Sequence, residues 1–362
     1  MKLDLTKFVA LQKVIQSSAP KKNEQRYDSS YFDFEASKIH VTSERFNGEI
    51  EFSYQVEEDE VVKNFFIDTA KLYLTLQDFD VHDVEMVLKE TENSFAPLLK
   101  KGRNTYRISS ILAEDEDFEV ELPEGDLAKT VLTRKELDAV SEAVLFVDAH
   151  NEYKFNSVSI STDGKVFGIT PTRLYITQVE GTSLDVNLAL HRDIVKILNN
   201  FSEVEIGYSE DSAIILAKGE GFKFIYGYGE THTEIPSEDD ISKVISRETA
   251  IEVNSNATLE LLRFFDPFYQ HDSKPIRITV ESETELKLST VSSFDEVEKF
   301  MEATSPSELV GMTFKVNGSI LKNALSLMEE RKINVYVSEG IMGVLVTDGT
   351  CGKEVIITKY QD

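Results

Sequence analysis

The stretch Val186–Phe201, V-N-L-A-L-H-R-D-I-V-K-I-L-N-N-F, reads as a short strand running into an amphipathic helix. Ile194, Ile197, Leu198 and Phe201 recur at three- and four-residue spacing, which marks one buried helical stripe. Arg192 and Lys196 stand one turn apart on the other side and project together, away from the stripe. The same phrase occurs twice more. Phe65–Leu76 (F-F-I-D-T-A-K-L-Y-L-T-L) holds Lys71, and Phe314–Met328 (F-K-V-N-G-S-I-L-K-N-A-L-S-L-M) holds Lys322. Leu190 lies 123 residues after Ile67 and 126 before Val316. A strand–helix unit at that near-constant period implies three copies of one domain.

The 362 residues have room for three such copies, and 41% hydrophobic residues can fill their cores. The single cysteine, Cys351, rules out an intrachain disulfide and fits a reducing compartment. The chain has no apolar run of the ~18 residues that a membrane span needs, and its start, M-K-L-D-L-T-K-F, has no signal-peptide pattern. A soluble, cytoplasmic protein is expected. The net charge of −27 argues against gripping nucleic acid with a uniformly basic surface.

Repeat one spans 1–126. Its first helix covers 5–18, with Phe8, Leu11 and Ile15 inward and Lys13 outward. Strands follow at Lys38–Val41 and Ile50–Val56, a helix at Ile67–Gln77, and strands at Val84–Leu88 and Tyr106–Ile111. The acidic stretch Ala113–Gly125 closes it. Repeat two spans 127–248. Thr133 and Glu136 make a capping box for a helix over 132–146, with Lys135 facing away from its stripe. Asp163-Gly164 is a hairpin signal, and Glu234–Ser246, with Pro236 and an acidic run, reads as a linker. Repeat three, 249–362, carries helices at 255–265 and 317–328 among strands of period two. Two helices among many alternating strands define an α+β domain with antiparallel sheets.

The six expected helices carry nine basic and six acidic residues, so the surplus acid lies almost wholly outside them. One reading is ordinary snorkelling surface lysine. The other is a helical surface that faces a polyanion while the sheets face solvent.

As a whole the chain resembles the bacterial β sliding clamp family, the DNA polymerase processivity factors. The resemblance rests on the three-repeat layout and on local matches in order. These are N-T-Y-R-I-S-S-I-L-A-E-D-E-D-F (Asn104–Phe118), T-R-K-E-L (Thr133–Leu137), E-Y-K-F-N (Glu152–Asn156), T-P-T-R-L (Thr170–Leu174) and F-K-V-N-G-S-I-L-K-N-A-L (Phe314–Leu325). It implies three tandem clamp repeats, closing as a head-to-tail homodimer into a six-domain ring around duplex DNA. The implied partners are double-stranded DNA held without sequence preference, a replicative DNA polymerase and a clamp loader, with no membrane, cofactor or metal. Two places depart from the family. Its T-D-G-H-R-L is shortened here to T-P-T-R-L, and its Met-Pro-Met-Arg-like ending is replaced by I-I-T-K-Y-Q-D (Ile356–Asp362). Such divergence fits a phage-encoded clamp.

The resemblance also assigns roles. Phosphate-facing cations would be Lys13, Lys21, Lys22, Arg26, Lys71, Lys135, Arg192, Lys196 and Lys322. A pocket for a partner's short linear motif would use Phe155, Thr170, Arg173, Leu174, Pro236, Ile241, Ile356 and Ile357. Both departures fall in that pocket, so its preference is expected to be altered. Arg173 is the residue that a plain core would not choose. Ring closure would pair an edge holding Tyr106 and Ile108 with one holding Pro267, Phe268 and Tyr269; F-F-D-P-F-Y (Phe264–Tyr269) is an apolar patch that needs a cover.

Enzyme readings lack support in the pattern. The six histidines form no H-x-x-x-H or Cys/His metal spacing. Asp115–Asp126 lacks the glycine of a calcium loop, and the K-G-E-G-F of 218–222 lacks dinucleotide-binding spacing. The competing class is an acidic regulator, or DNA mimic, that uses a clamp-like fold to bind proteins without encircling DNA.

Overall fold

Six times along the chain a strand ends at or beside a polar residue that starts a helix. The protein is described by a computed structural model covering residues 1–18, 29–42, 46–56, 62–91, 94–112, 128–148, 155–209, 214–219, 221–227, 235–268, 275–290, 297–349 and 352–360. The six units are β1 (Lys2–Asp4) into α1 (Thr6–Ser18), β6 (Phe65–Asp68) into α2 (Thr69–Leu76), and β11 (Ala128–Thr133) into α3 (Arg134–Ala143). They continue with β15 (Leu188–His191) into α4 (Arg192–Leu198), β19 (Ala250–Asn254) into α6 (Ser255–Phe265), and β23 (Thr313–Asn317) into α7 (Gly318–Leu327). Between them α5 (Glu238–Val244) stands alone.

The caps explain the helix starts, because the first N–H groups of a helix have no partner inside it. Asp68 accepts from the Lys71 N–H at 2.8 Å, Asn254 from Ala257 at 3.0 Å, and Asn317 from Ser319 and Ile320 at 2.9 and 3.2 Å. At α3 the Glu136 carboxylate reaches back to the Thr133 N–H at 2.9 Å, which is the carboxylate half of a capping box, and it also accepts from the Thr133 hydroxyl. α4 differs: its first N–H, of Arg192, goes to the Asn156 carbonyl at 2.9 Å.

The other strands are β2 (Ser29–Asp33), β3 (Lys38–Thr42), β4 (Phe46–Glu51), β5 (Ser53–Gln55), β7 (Val84–Thr91), β8 (Ser94–Lys101), β9 (Asn104–Arg107) and β10 (Ser110–Leu112). Next come β12 (Ser157–Ile160), β13 (Lys165–Thr170), β14 (Arg173–Gln178), β16 (Glu203–Ser209), β17 (Ile214–Gly219) and β18 (Phe222–Gly227). The last are β20 (Pro275–Ser282), β21 (Glu285–Thr290), β22 (Glu298–Thr304), β24 (Lys332–Tyr336), β25 (Gly343–Thr347) and β26 (Glu354–Thr358).

The chain divides into two compact units, and among the described residues all the pairing is antiparallel. The first, Met1–Leu137 with Asp193–Thr231, holds one sheet in the order β11-β16-β17-β18-β4-β3-β2-β6-β10-β8-β7-β1-β5, with β9 beside β8. Its core stacks Phe32 on Phe65 at 4.9 Å, with Phe34 and Phe52 around them. The second, Asp138–Arg192 with His232–Asp362, holds β15-β12-β13-β14-β26-β25-β24-β19-β22-β21-β20-β23. Phe146 stacks on Tyr175 there at 5.2 Å. A cavity of about 30 Å³, lined among others by Val253, Thr258, Met301, Val316 and Leu325, remains in its core. The middle third of the chain is thus divided, because β18 pairs with β4 in one unit and β14 with β26 in the other.

All six expected helices are present, and Gly164 turns the β12–β13 hairpin at φ 82°. Two expectations are corrected. The stretch 234–246, read as a linker, contains α5, since Ser237 caps it at the Asp240 N–H and Ile241 and Ile245 anchor it. The strands expected at 50–56 and 106–111 are each broken in two. The boundary stretch 113–125 lies outside the described residues. Among the described residues no helix is long and apolar enough to cross a membrane.

Candidate functional site

Three features concentrate chemistry: the helix cations, one apolar sheet face and two strand edges. Among the described residues no three His, Cys, Asp or Glu side chains group as metal ligands.

Most helix cations have local partners. Lys71 pairs with Asp68 at 3.3 Å and Lys196 with Asp193 at 3.7 Å, both one turn apart. Lys322 is held by both carboxylate oxygens of Asp266, at 2.8 and 3.0 Å. Arg134 is spent on structure, donating to the carbonyls of Asn199 and Phe201 just beyond α4 at 2.8 and 3.2 Å. Arg192 is half-buried. Lys135 and Arg263 are exposed, with no ion pair among the described residues. Lys21, Lys22 and Arg26 and the Lys13 side chain lie outside the description. The helices therefore carry cations as the count implied, but several are matched by neighbouring acids. The Lys71–Asp68 pair is exposed, and such a pair is worth only about 0–1 kcal/mol, so an incoming phosphate competes for Lys71 on nearly even terms, whereas the Lys196 and Lys322 pairs are half-buried.

The apolar face belongs to β13, β14, β26 and β25. In register, Ile169 lies opposite Leu174, Leu174 opposite Ile356, and Ile356 opposite Leu345. Successive side chains on a strand point to opposite faces, so these share one face, with Phe167 and Ile176. On it they form an apolar cluster with Ile241 and Ile245 of the α5 segment, and Ile235 and Tyr336 pack alongside. The other face holds Thr170, Arg173 and Ile357 in a row. α3 lies against that face so closely that a Cβ at Gly168 would be 2.3 Å from the Ala143 carbonyl oxygen. Arg173 caps the turn that follows α3, with its Nε donating to the Phe146 carbonyl at 2.9 Å and Nη2 to Val147 at 2.8 Å. Burial lowers the pKa of its guanidinium, while Asp148 opposes the shift.

The eight expected pocket residues thus separate. Leu174, Ile241 and Ile356 meet on one face, with Pro236 next to Ile235. Thr170, Arg173 and Ile357 are on the opposite face, and half-buried Phe155 accepts from the Asp148 N–H at 2.6 Å. Arg173 is unusual for a core, as expected, but it caps carbonyls and does not line the cluster. Phe167, Ile169, Ile176, Ile245 and Leu345 were not anticipated. The alternation F-G-I at 167–169 and L-Y-I at 174–176 was the signal for three of them, Phe167, Ile169 and Ile176.

The third feature is unpaired strand edge. Among the described residues β9 pairs only with β8, through Leu99 to Tyr106 and Lys101 to Asn104. Its hairpin carries Lys100, Lys101, Arg103 and Arg107, with half-buried Tyr106 packed on Phe79 at 5.4 Å and Ile108 buried. β22 pairs with β21 along Glu298–Glu302 but meets β19 only at Ala303 and Thr304. Among the described residues the edge along 298–302 is open. It offers Glu298 and Glu302, with Phe300 55% exposed. Lys299 lies 4.6 Å from the Phe264 ring, and Phe264 packs on Phe268 at 5.6 Å beside exposed Pro267. Tyr269 is outside the described residues. β22 was not anticipated, although E-K-F-M-E alternates as a strand does.

This arrangement of strands and helices is the DNA sliding clamp fold. The chain is similar over its whole length to the Caulobacter crescentus beta sliding clamp, with a TM-score of 0.78 and 12% identity, covering 100% of this chain and 99% of that one. The Thermotoga maritima DNA polymerase III beta subunit matches at 0.75 and 15% identity, over 98% and 97% of the two chains. The Helicobacter pylori beta clamp, whose structure has a DNA ligase peptide bound, matches at 0.72 and 12%, over all of both chains. No family model matches the sequence, and no curated protein matches it.

Proposed function

We propose that this protein is a DNA sliding clamp, a non-enzymatic ring that encircles duplex DNA and tethers a replicative polymerase to it. The observation that carries the reading is the match of the entire chain to clamp structures, with no domain left over. Three repeats, 1–126, 127–248 and 249–362, fit the six strand–helix units, two to each. Open edges of opposite charge, basic at β9 and acidic at β22, support head-to-tail closure of two chains, since an unpaired edge is a template for another strand. The apolar face under α5 is the candidate seat for partner segments of a polymerase, a clamp loader or a ligase. The exposed Lys135 and Arg263 and the weakly paired Lys71, Lys196 and Lys322 are the candidate phosphate contacts.

The deciding experiment measures retention on DNA. A clamp forms a dimer in solution and, once loaded, stays on nicked circular DNA but runs off when the circle is cut. A monomer at micromolar concentration, or release from circles as fast as from linear DNA, overturns the reading in favour of an acidic regulator that binds only proteins.

A further inference from the structure

We propose that Lys353 latches two segments distant in the chain, α3 with β14 on one side and α7 with β26 on the other, so that they move as one body. Glu142 of α3 and Lys353 are 211 residues apart in sequence and meet at 3.0 Å. The seam they bridge is short: β14 pairs with β26 through four residues, Arg173–Ile176 against Glu354–Ile357. An ammonium has three N–H donors, and three acceptors from both sides of the seam stand around this one. They are the Glu142 carboxylate, the Glu329 carboxylate at 3.3 Å, and the Leu327 carbonyl at the end of α7, at 3.4 Å. The Lys353 side chain is only 14% exposed, so its charge depends on these partners more than on water.

Glu142 cannot follow Lys353 if the seam slips, because its other oxygen is taken. The Tyr175 hydroxyl donates to it at 2.6 Å, and Tyr175 is wholly buried in β14, opposite Val355 of β26. On the far side, the turn that leads to Lys353 is itself tied to the end of α7, where Asp348 accepts from the Glu329 N–H at 3.3 Å. Each charge is thus fixed to its own side of the seam, and parting the sides strands both at once. Removing one partner of a buried pair costs far more than replacing the whole pair with neutral groups. The latch therefore fixes geometry more than it adds stability. Opening of the proposed ring then bends the chain at other joints, a consequence that alone rests on the clamp reading.

The test is amide hydrogen exchange, read by mass spectrometry on the full natural chain, Lys353→Met, Glu142→Gln and the double variant. Circular dichroism confirms that each is folded. The expected result in all three variants is exchange at least tenfold faster along 173–176 and 354–357. The β20–β21 hairpin, remote from the seam but in the same compact unit, is unchanged. The double variant exchanges no faster than Lys353→Met, because the two residues act through one contact. Unchanged exchange at the seam, a rise spread evenly over the unit, or additive effects in the double variant overturns the latch. Should Lys353→Met fail to fold, the double variant, which leaves neither charge unpaired, decides on the same segments. Exchange needs no DNA and no ring, so failure of the clamp reading is seen separately.

Discussion

Reversing Glu298 and Glu302 to lysine on β22 is expected to open the proposed ring, and the geometry sets the size of the effect. Both residues lie on an edge open along 298–302, with Glu298 also 3.4 Å from Lys287 of its own chain, and the candidate partner edge, β9, carries Lys101, Arg103 and Arg107 on its hairpin. An exposed pair of opposite charges contributes about 0.5 kcal/mol, and reversal replaces that attraction with a similar repulsion. Two reversed sites therefore weaken one edge-to-edge interface by about 2 kcal/mol, roughly thirtyfold in affinity. A head-to-tail dimer contains that interface twice, so ring closure weakens by about a thousandfold. Sedimentation across a concentration series at low salt reads the shift directly. Near 1 M salt, where screening reaches about 3 Å, variant and natural chain converge. An Arg103→Glu, Arg107→Glu chain is also monomeric alone, and mixing it with the lysine variant restores the dimer, because both interfaces then pair unlike charges. Unchanged dimerisation of the lysine variant at low salt, or no rescue on mixing, refutes the pairing of β9 with β22.

Further expectations follow from buried groups. Gln12 is wholly buried on α1 with neither side-chain polar atom hydrogen-bonded; an unpaired buried amide costs about 1–3 kcal/mol, so Gln12→Met raises the urea midpoint instead of lowering it. His40 is buried on β3 beside Glu49, Asp33, Lys38 and Lys223, and burial holds its pKa below the ordinary 6.5. The fold keeps it neutral, so its contribution is complete above pH 6.5 and is lost as pH falls below that toward the lowered value. Stability measured from pH 7 to 5 falls in the natural chain, and less steeply in His40→Leu. Filling the 30 Å³ cavity with Val253→Ile recovers about 0.7 kcal/mol at roughly 24 cal/mol per Å³, read as a higher melting temperature of the second unit. Lys135→Glu with Arg263→Glu shortens retention on circular DNA more than Lys322→Ala does, since Lys322 is already held by Asp266.

The elements whose information is local were legible in the sequence. Thr133 and Glu136 announced the start of α3, and Asp163-Gly164 announced the β12–β13 turn. The apolar stripes placed all six expected helices. What stayed hidden depends on which neighbour a strand meets. Arg173 and Leu174 are adjacent in the chain but face opposite ways, and only the register with Ile356 and Ile357 shows which of them joins the cluster. α5 was masked by its acidic, proline-bearing surroundings, because two isoleucines one turn apart are too short a stripe to stand out. β22 was not anticipated, and its open edge becomes visible only once β21 and β19 are seen to leave it uncovered. The helix cations could be counted beforehand, but their partners could not.

Those partners bear on how the proposed clamp holds DNA. A fixed phosphate site would want unpaired, converging cations, giving a deep minimum at each register on the duplex. Here Lys71, Lys196 and Lys322 each have an aspartate within 4 Å, at 3.3, 3.7 and 2.8 Å. Exchanging such a partner for a passing phosphate loses one ion pair as it gains another, and for the exposed Lys71 pair each is worth about 0–1 kcal/mol. Successive positions along DNA then differ little in energy, which is the condition for sliding. A chain of net charge −27 also gains little from binding DNA whose ends it can leave. Retention in the proposed clamp must then come from ring closure more than from contact. It follows that the edge charges of β9 and β22 govern residence on DNA more strongly than any single helix lysine, and that raising salt shortens residence mainly by opening the ring.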